Sequence, residues 1–541
     1  LRPTFYGLEM AKSALFMAQK QMDVTGHNIA NANTVGFTRQ RIVQQAVDPY
    51  GLMTRLKDME TGKVGAGVLT HSLDQIRDQY LDRRIRNHNA TQYYWSARYD
   101  GMYDIESLFN GELGASDTSL TKLTSDFFNA VDALNDNMAP SNRDIRTNLM
   151  MSANQLTTAM NDIYKKLEEL QYEHERIITE PGAGLVARVN ELLSALAEYN
   201  RQIYAFEINN YASGLPQEKA LDLRDQRNLL IDELSTLIDI DYHEDVNMKL
   251  HISICGVEML NHVDYDTLTT KRIKTNPLNG KEEDLSVVCW VPKGYENDEN
   301  AYMQLVLSGG KIKAHLDLRD GQLAEPKLGL PSIKGIPQLV EELNLFVRAL
   351  AKEFNAIHEQ GWTYPHDENG NLSQAGIKFF AVPKDANGLD DYSLLNIGNF
   401  HIDDMINPDK NGSVFNIAFS SRFIDPDGDP LLEETNNEIG LALKALMYKD
   451  VDGIGTMRKY INTFLVTIGA ETAVAKARDL EYTTIGYEFE QMFMSYSGVS
   501  QDEEMTNLIK FNYAFTAASR NITTIDDMLD VLINRMGRVG L

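Results

Sequence analysis

GHNIANANTVGFTRQ, residues 26–40, ends a regular helical pattern with side chains that compete for their own backbone. Asn28, Asn31 and Asn33 favour turns and caps because short amides bond nearby peptide groups, and glycine accepts positive φ. Before the stretch, Leu8, Ala11, Leu15, Ala18, Met22, Thr25 and Ile29 are spaced 3, 4, 3, 4, 3, 4. That spacing is a heptad seam on one face of a helix. The local reading is a helix end followed by an ordered turn. It accounts for the polarity but not for the particular string.

The other end of the chain repeats the seam. From Val499 to Met536 there is no glycine or proline, and Leu508, Phe511, Phe515, Ala518, Ile522, Ile525, Leu529, Leu532 and Met536 keep the same 3/4 alternation. A helix of that length extends ~57 Å at ~1.5 Å per residue. Two heptad helices, one at each terminus, are natural partners for each other or for neighbouring copies. The chain is expected to leave a helical stem, build β-rich excursions and return to it.

Between the ends, amphipathic patterns predict long helices at SLTKLTSDFFNAVDALNDN (Leu120, Leu123, Phe127, Ala130, Leu134) and at LVARVNELLSALAEYNRQIYAF (Val189, Leu192, Leu196, Tyr199, Ile203, Phe206). A third lies at LDLRDQRNLLIDELSTLIDI, with Leu223, Leu230, Leu234 and Leu237 on one side. Such helices need partners, since an isolated helix gains little without packing. KLHISICGVEML, DLSVVCWVP and AYMQLVLSG are short and β-rich. The fold class expected is α+β and multidomain, with terminal coiled-coil-like helices, a helical bundle stem and inserted β-rich outer domains. The expected division is a terminal assembly domain (1–60 with 499–541) and a stem (61–240 with 433–498 and the 335–360 helix). A β-rich outer domain (241–334) and a turn- and strand-rich one (361–432) complete it.

Composition bounds the function. The 541 residues exceed one core. The formal charge of −27, from 78 acids against 51 bases, argues against nucleic acid and anionic lipid as partners. Arg83, Arg84 and Arg86 form the most basic short stretch, read as a solvated helix face. No segment approaches the ~18–20 apolar residues of a membrane span. The first residues, LRPTFYGLEMAKSALF, show no basic leader with a long apolar core, so a Sec-type route is not expected. Cys255 and Cys289 are expected to be buried free thiols, with one bridge between neighbouring strands as the alternative.

Local strings that invite chemistry are incomplete. His358-Glu359 lacks the second histidine of a zinc helix, and SGGK (Ser308–Lys311) lacks the leading glycine of a phosphate loop. His401, Asp403 and Asp404 make a lone triplet in a loop. DPDGDP (425–430) lacks the register of a calcium loop and reads as an acidic turn. No catalytic, cofactor-binding or metal-binding residues are expected.

The opening string now has a reading. Asn28–Phe37, NIANANTVGF, resembles the N-terminal signature of the bacterial flagellar axial proteins, and Thr38-Arg39-Gln40 looks like its continuation in the hook–filament junction family. LDLRDQRNLLIDELSTLIDI, SGGKIKAHLDLRD, FNAIHEQG with the later NGN and KFF, and Ser497–Gly537 are similar to further blocks of that family. The resemblance implies a non-enzymatic structural protein that links hook to filament by polymerising through terminal helices that are poorly ordered in the free monomer. The implied assembly interface is Leu8, Ala11, Leu15, Ala18, Met22, Ile29, Asn31, Gly36, Phe37, Leu508, Phe511, Phe515, Ala518, Ile522, Ile525, Leu529, Leu532 and Met536. Implied partners are hook protein, a second hook–filament junction protein, copies of the chain in a tubular ring, and an export chaperone on the C-terminal helix. The implied location is the extracellular flagellum, reached by flagellar type III export. The alternatives are another axial protein, hook or distal rod, or an exported metal-binding adhesin or enzyme carried on an axial frame in residues 241–432. The LRDQR block and the DEEMTNLI helix argue against the first. Only the His401 cluster and DPDGDP favour the second.

Overall fold

The computed structural model describes residues 6–47, 67–110, 119–133, 142–212, 219–245, 249–295, 298–322, 332–364, 374–422, 436–451, 453–531 and 533. Leu134, NGN (369–371), DPDGDP (425–430), Leu532 and Met536 lie outside them.

The N-terminal seam forms α1 (Tyr6–Ala30), and the C-terminal seam forms α11 (Gln501–Asp530). Ser500 starts α11, its hydroxyl accepting from Glu503 N, so the last helix is a new one and not a continuation of its predecessor. Gly7 lies against Ile525 at one end of the pair, and Asn28 bonds Glu504 at the other, so α1 and α11 run antiparallel. The expected seam is the surface they share. In α11 the residues from Leu508 onward that are shielded from solvent are Leu508, Phe511, Phe515, Ala518, Ile522, Ile525 and Leu529. Ala11, Ala18, Thr25 and Ala518 are its most buried members, and their small side chains let the helices approach closely.

A hairpin, β1 (Gln40–Ala46) with β2 (Val68–Gln75), leads from the terminal pair to α2 (Gln79–Asn110). This helix pairs antiparallel with α10 (Met457–Ser497). Arg77, just before α2, lies over the Phe493 ring, and Phe109 packs edge-on against Phe464 at the far end. Gly486 of α10 faces the Gln92 side chain of α2 across this contact.

Two hydrophobic cores lie beyond this stalk. The first joins the end of α2 with α3 (Leu120–Asp132), α4 (Arg143–Thr179), α8 (Ile336–His358), residues 377–419, α9 (Glu438–Leu446) and the start of α10. The turn-rich stretch thus shares its interior with the helices. Asn355, fully buried on α8, accepts from Phe379 N and Phe380 N and donates to Phe380 O. His358 one turn later donates from Nδ1 to Ile377 O and accepts Ala418 N at Nε2. These bonds satisfy the loop backbone that would otherwise be buried without partners.

The second core joins the end of α4 with α5 (Leu185–Ala212), α6 (Leu221–Leu237) and two antiparallel sheets. One sheet is β3 (Ile240–Glu244), β4 (Leu250–Ile254), β5 (Val257–Asn261) and β6 (Asp264–Tyr265). The other is β7 (Thr267–Lys274), β8 (Leu285–Val291) and β9 (Met303–Gln304). A short hairpin, β10 (Asp450–Val451) with β11 (Gly455–Thr456), precedes α10. The border expected at residue 240 runs through the second core. α7 (Gly310–Asp320) ties the cores together, Ile312 in one and Leu318 in the other. Its first residue has φ +85°, and an added Cβ would meet Leu237 O at 2.4 Å, which is what the SGGK glycine is for.

Three readings need correction. Arg86 is 2% exposed and not on a solvated face: Nε bonds Asp232 at 2.6 Å and the guanidinium lies 4.4 Å from the Tyr242 ring. Cys255 is exposed, because Cys255-Gly256, both at positive φ, form the two-residue turn between β4 and β5. Both cysteines are free, and Cys289 alone is buried. Phe206, expected on the buried stripe of α5, is 45% exposed.

Candidate assembly site at the root of the terminal helices

The opening string folds back from the end of α1 and meets α6 and α11. Asn31 Nδ2 donates to His27 O, and Thr34 donates to Asn31 Oδ1, which ends the helix. Gly36 then turns the chain at φ +78°, and an added Cβ would fall 2.5 Å from Leu229 Cγ of α6. Phe37 packs edge-on against the His27 ring, centroids 5.4 Å apart. Each member of the string therefore has a local task.

The polar residues that follow tie three distant segments together. Asn28, 1% exposed, uses its amide as a strand would: Oδ1 accepts Gln40 N at 3.1 Å and Nδ2 donates to Gln40 O at 2.9 Å. The same Nδ2 reaches Glu504 of α11 at 3.2 Å. Thr38 donates from N and Oγ1 to Asp225 of α6 at 3.0 and 2.7 Å. Arg39 donates Nε to Glu504 at 2.8 Å and Nη1 to Glu503 at 2.8 Å, while its N–H bonds Ser497 O at the end of α10. Gln40 Nε2 adds a bond to Asp222 at 2.9 Å.

Electrostatics make this node exacting. Glu504 is 2% exposed, so its charge depends on Arg39 and Asn28. Burial pushes the Asp225 carboxyl up to about 6, against the Thr38 bonds and the Arg77 charge, which pull it down. Arg77 Nη1 lies 3.7 Å from Asp225 and its Nε bonds Asp82 at 2.6 Å. None of these groups is arranged around a reacting centre.

Of the residues expected at an interface, the structure brings the described seam residues together within the chain, and Asn31, Gly36 and Phe37 into the turn beside it. Leu532 and Met536 lie outside the described residues. Sequence reasoning missed Asp225, Glu503 and Glu504 as individual functional residues. The signal was present: LRDQR sets charges on the helix face that elsewhere carries leucine, and Arg39 has two consecutive acids waiting at the start of α11. His401 is exposed and bonds Asn399 O, and among the described residues there is no group of three metal-ligating side chains.

A family model for the flagellar hook-associated protein FlgK helical domain matches residues 104–380. Models for the flagella basal body rod protein and the C-terminal part of the basal body rod FlgEFG proteins match 8–38 and 490–536, ranges that contain most of α1 and all of α11. The chain is 26% identical to flagellar hook-associated protein 1 of Bacillus subtilis, covering 99% of both chains. It is 22% identical to the protein of that name from Escherichia coli, covering 97% and 98%. The structure of the flagellar hook junction protein FlgK from Burkholderia pseudomallei shares the fold, with a TM-score of 0.56 and 13% identity over 76% of this chain and all of that one. With its helical-domain model matching more than half of the sequence, the chain belongs to the flagellar hook-associated protein 1 family.

Proposed function

We propose that the chain is a structural junction piece of the bacterial flagellum, joining hook to filament, and that it assembles through the α1–α11 pair. The observation that carries this reading is the division of labour on that pair. The seam is closed inside the chain, while Phe16, Met505, Ile509 and Tyr513 remain exposed on its outer faces. Apolar surface on a two-helix arm that belongs to neither core gains by being covered when copies pack. The seam residues from Leu8 to Leu529 then serve assembly by holding the pair, and the outer residues meet the neighbours. In this reading the neighbours are hook protein, a second junction protein and copies of the same chain in a tubular ring. A chaperone on the C-terminal helix and export through the flagellar type III apparatus go with the family, as does work by packing without catalysis.

The test is add-back to isolated hooks that lack junction proteins, scored by electron microscopy. The full chain is expected to cap the hook ends, and the chain truncated after Gly498 is not. Equal capping by the truncated chain overturns the role given to α11.

A further inference from the structure

The charges around the node are not evenly spread. From Asp479 to Ile509 the sequence holds seven carboxylates and no lysine, arginine or histidine. On α10, Leu480, Tyr487 and Met494 stand seven residues apart and are 66%, 63% and 56% exposed, while Phe489 and Phe493 turn toward Arg84 and Arg77. The exposed side is thus an apolar heptad row among carboxylates, with Tyr487 and Glu490 at the edge of a groove toward α2 and α6. Glu488 and Glu490 on this strip are exposed and make no ion pair among the described residues.

A cleft of about 630 Å³ between β2, α2, α6 and β3 has the opposite character. In a chain of net charge −27, six arginines and one lysine line it against four carboxylates. Arg41 and Arg83 at its rim are exposed and have no ion pair among the described residues. Arg227 in its wall is 4% exposed; it lies 3.6 Å from Glu244 and bonds Asn200, but its Nε has no partner and burial pushes its pKa down to about 10. Buried positive charge of this kind is repaid by an anion at the mouth of the cleft.

We propose that the cationic cleft of one copy receives the acidic, apolar strip of α10 from a second copy. The inference rests on the self-assembly reading above and adds the two faces that meet. Charge selects the occupant: the acidic strip complements the excess of positive side chains that line the cleft. Position supports it as well, since Arg77 lines the cleft and lies over Phe493, so cleft and strip stand at the same level of the stalk. A contact between two different faces at one level repeats sideways around a ring, where a contact between like faces stops at a dimer.

The test uses full chains with the cleft reversed (R41E with R83E), the strip reversed (E488K with E490K), and both reversed together. Each single-face reversal is expected to lower hook capping about tenfold, and the doubly reversed chain to return within about twofold of wild type, because like charges opposed across a contact cost several kcal/mol. Capping unchanged by either reversal, or not restored in the combined chain, overturns the contact. If the wild-type chain does not cap hooks, the junction reading falls, and the contact is decided on the concentrated free chain carrying R83K. There, carbodiimide cross-linking of mixed 14N and 15N chains joins position 83 to Glu488 or Glu490 between copies if the contact exists. Cross-links confined to single copies overturn it.

Discussion

Gly36 and Arg39 show how much of the terminal arrangement rests on single side chains. Gly36 is at φ +78° with Leu229 in the space a Cβ needs. Gly36→Ala is expected to weaken the seating of the turn by about 1–3 kcal/mol, and Leu229→Ala in the same chain to recover only the steric part, since the backbone strain stays. Hydrogen exchange of α1 amides reads this directly. Arg39→Met leaves Glu504 buried beside one amide, and is expected to cost about 3 kcal/mol. Adding Glu504→Leu recovers most of it, because both charges are then gone. Protection falling in α1 and α11 while the two cores keep theirs is the expected pattern. Uniform loss contradicts a local role.

Titration separates the node from the core by its sign. Burial pushes His358 down to about 4. The unfolded chain therefore takes the proton first, and stability present above pH ~6.5 is lost as pH falls toward about 4. Asp225 is pushed up to about 6, so the folded node binds a proton that the unfolded chain does not. Its contribution runs the other way, improving as pH falls from about 6 toward ~4. The melting temperature is expected to drop between pH 7 and 5 with a smaller drop in His358→Gln. Exchange protection at Thr38 is expected to hold or rise over that range, and Asp225→Asn to flatten it.

Among the elements, the terminal helices were the most legible because their information is local. Seven-residue periodicity fixes which face is buried, and α1 and α11 bury that face. A charge placed there tests it: Ala518→Glu is expected to open the pair at a cost of about 2–3 kcal/mol, leaving core unfolding unchanged. Other features were less legible for physical reasons. KLHISICGVEML looks like one strand, since nothing in its hydropathy marks Cys255-Gly256 as a turn; positive φ at both residues does. Arg86 reads as solvated beside Arg83 and Arg84, and only the return of Asp232 and Tyr242 across α2 makes it interior. The node was visible as three separate strings. Their meeting was not, because Thr38 with Asp225, and Arg39 with Glu504, are non-local pairings that no window of sequence contains.

At the scale of the whole molecule, the chain runs out from the terminal pair through the α2–α10 stalk to two cores and back again. The heptad seams at the two ends of the sequence anticipated that return. They did not anticipate that residues 377–419 share a core with α4 and α8, which depends on Asn355 and His358 fastening loops to a helix. The central claim departs from the poorly ordered free monomer that the family resemblance implies: α1 and α11 pair antiparallel within one chain and act on neighbours as a unit. Electron–electron double resonance between nitroxides at exposed Gln19 and Asn512, in a chain with Cys255→Ser and Cys289→Ser, measures that pairing. For assembled samples the labelled chain is diluted into unlabelled chain. Adjacent helices about 10 Å apart predict one narrow, short distance in the free chain and on capped hooks. A broad distribution in the free chain, or loss of the short distance on assembly, contradicts the account.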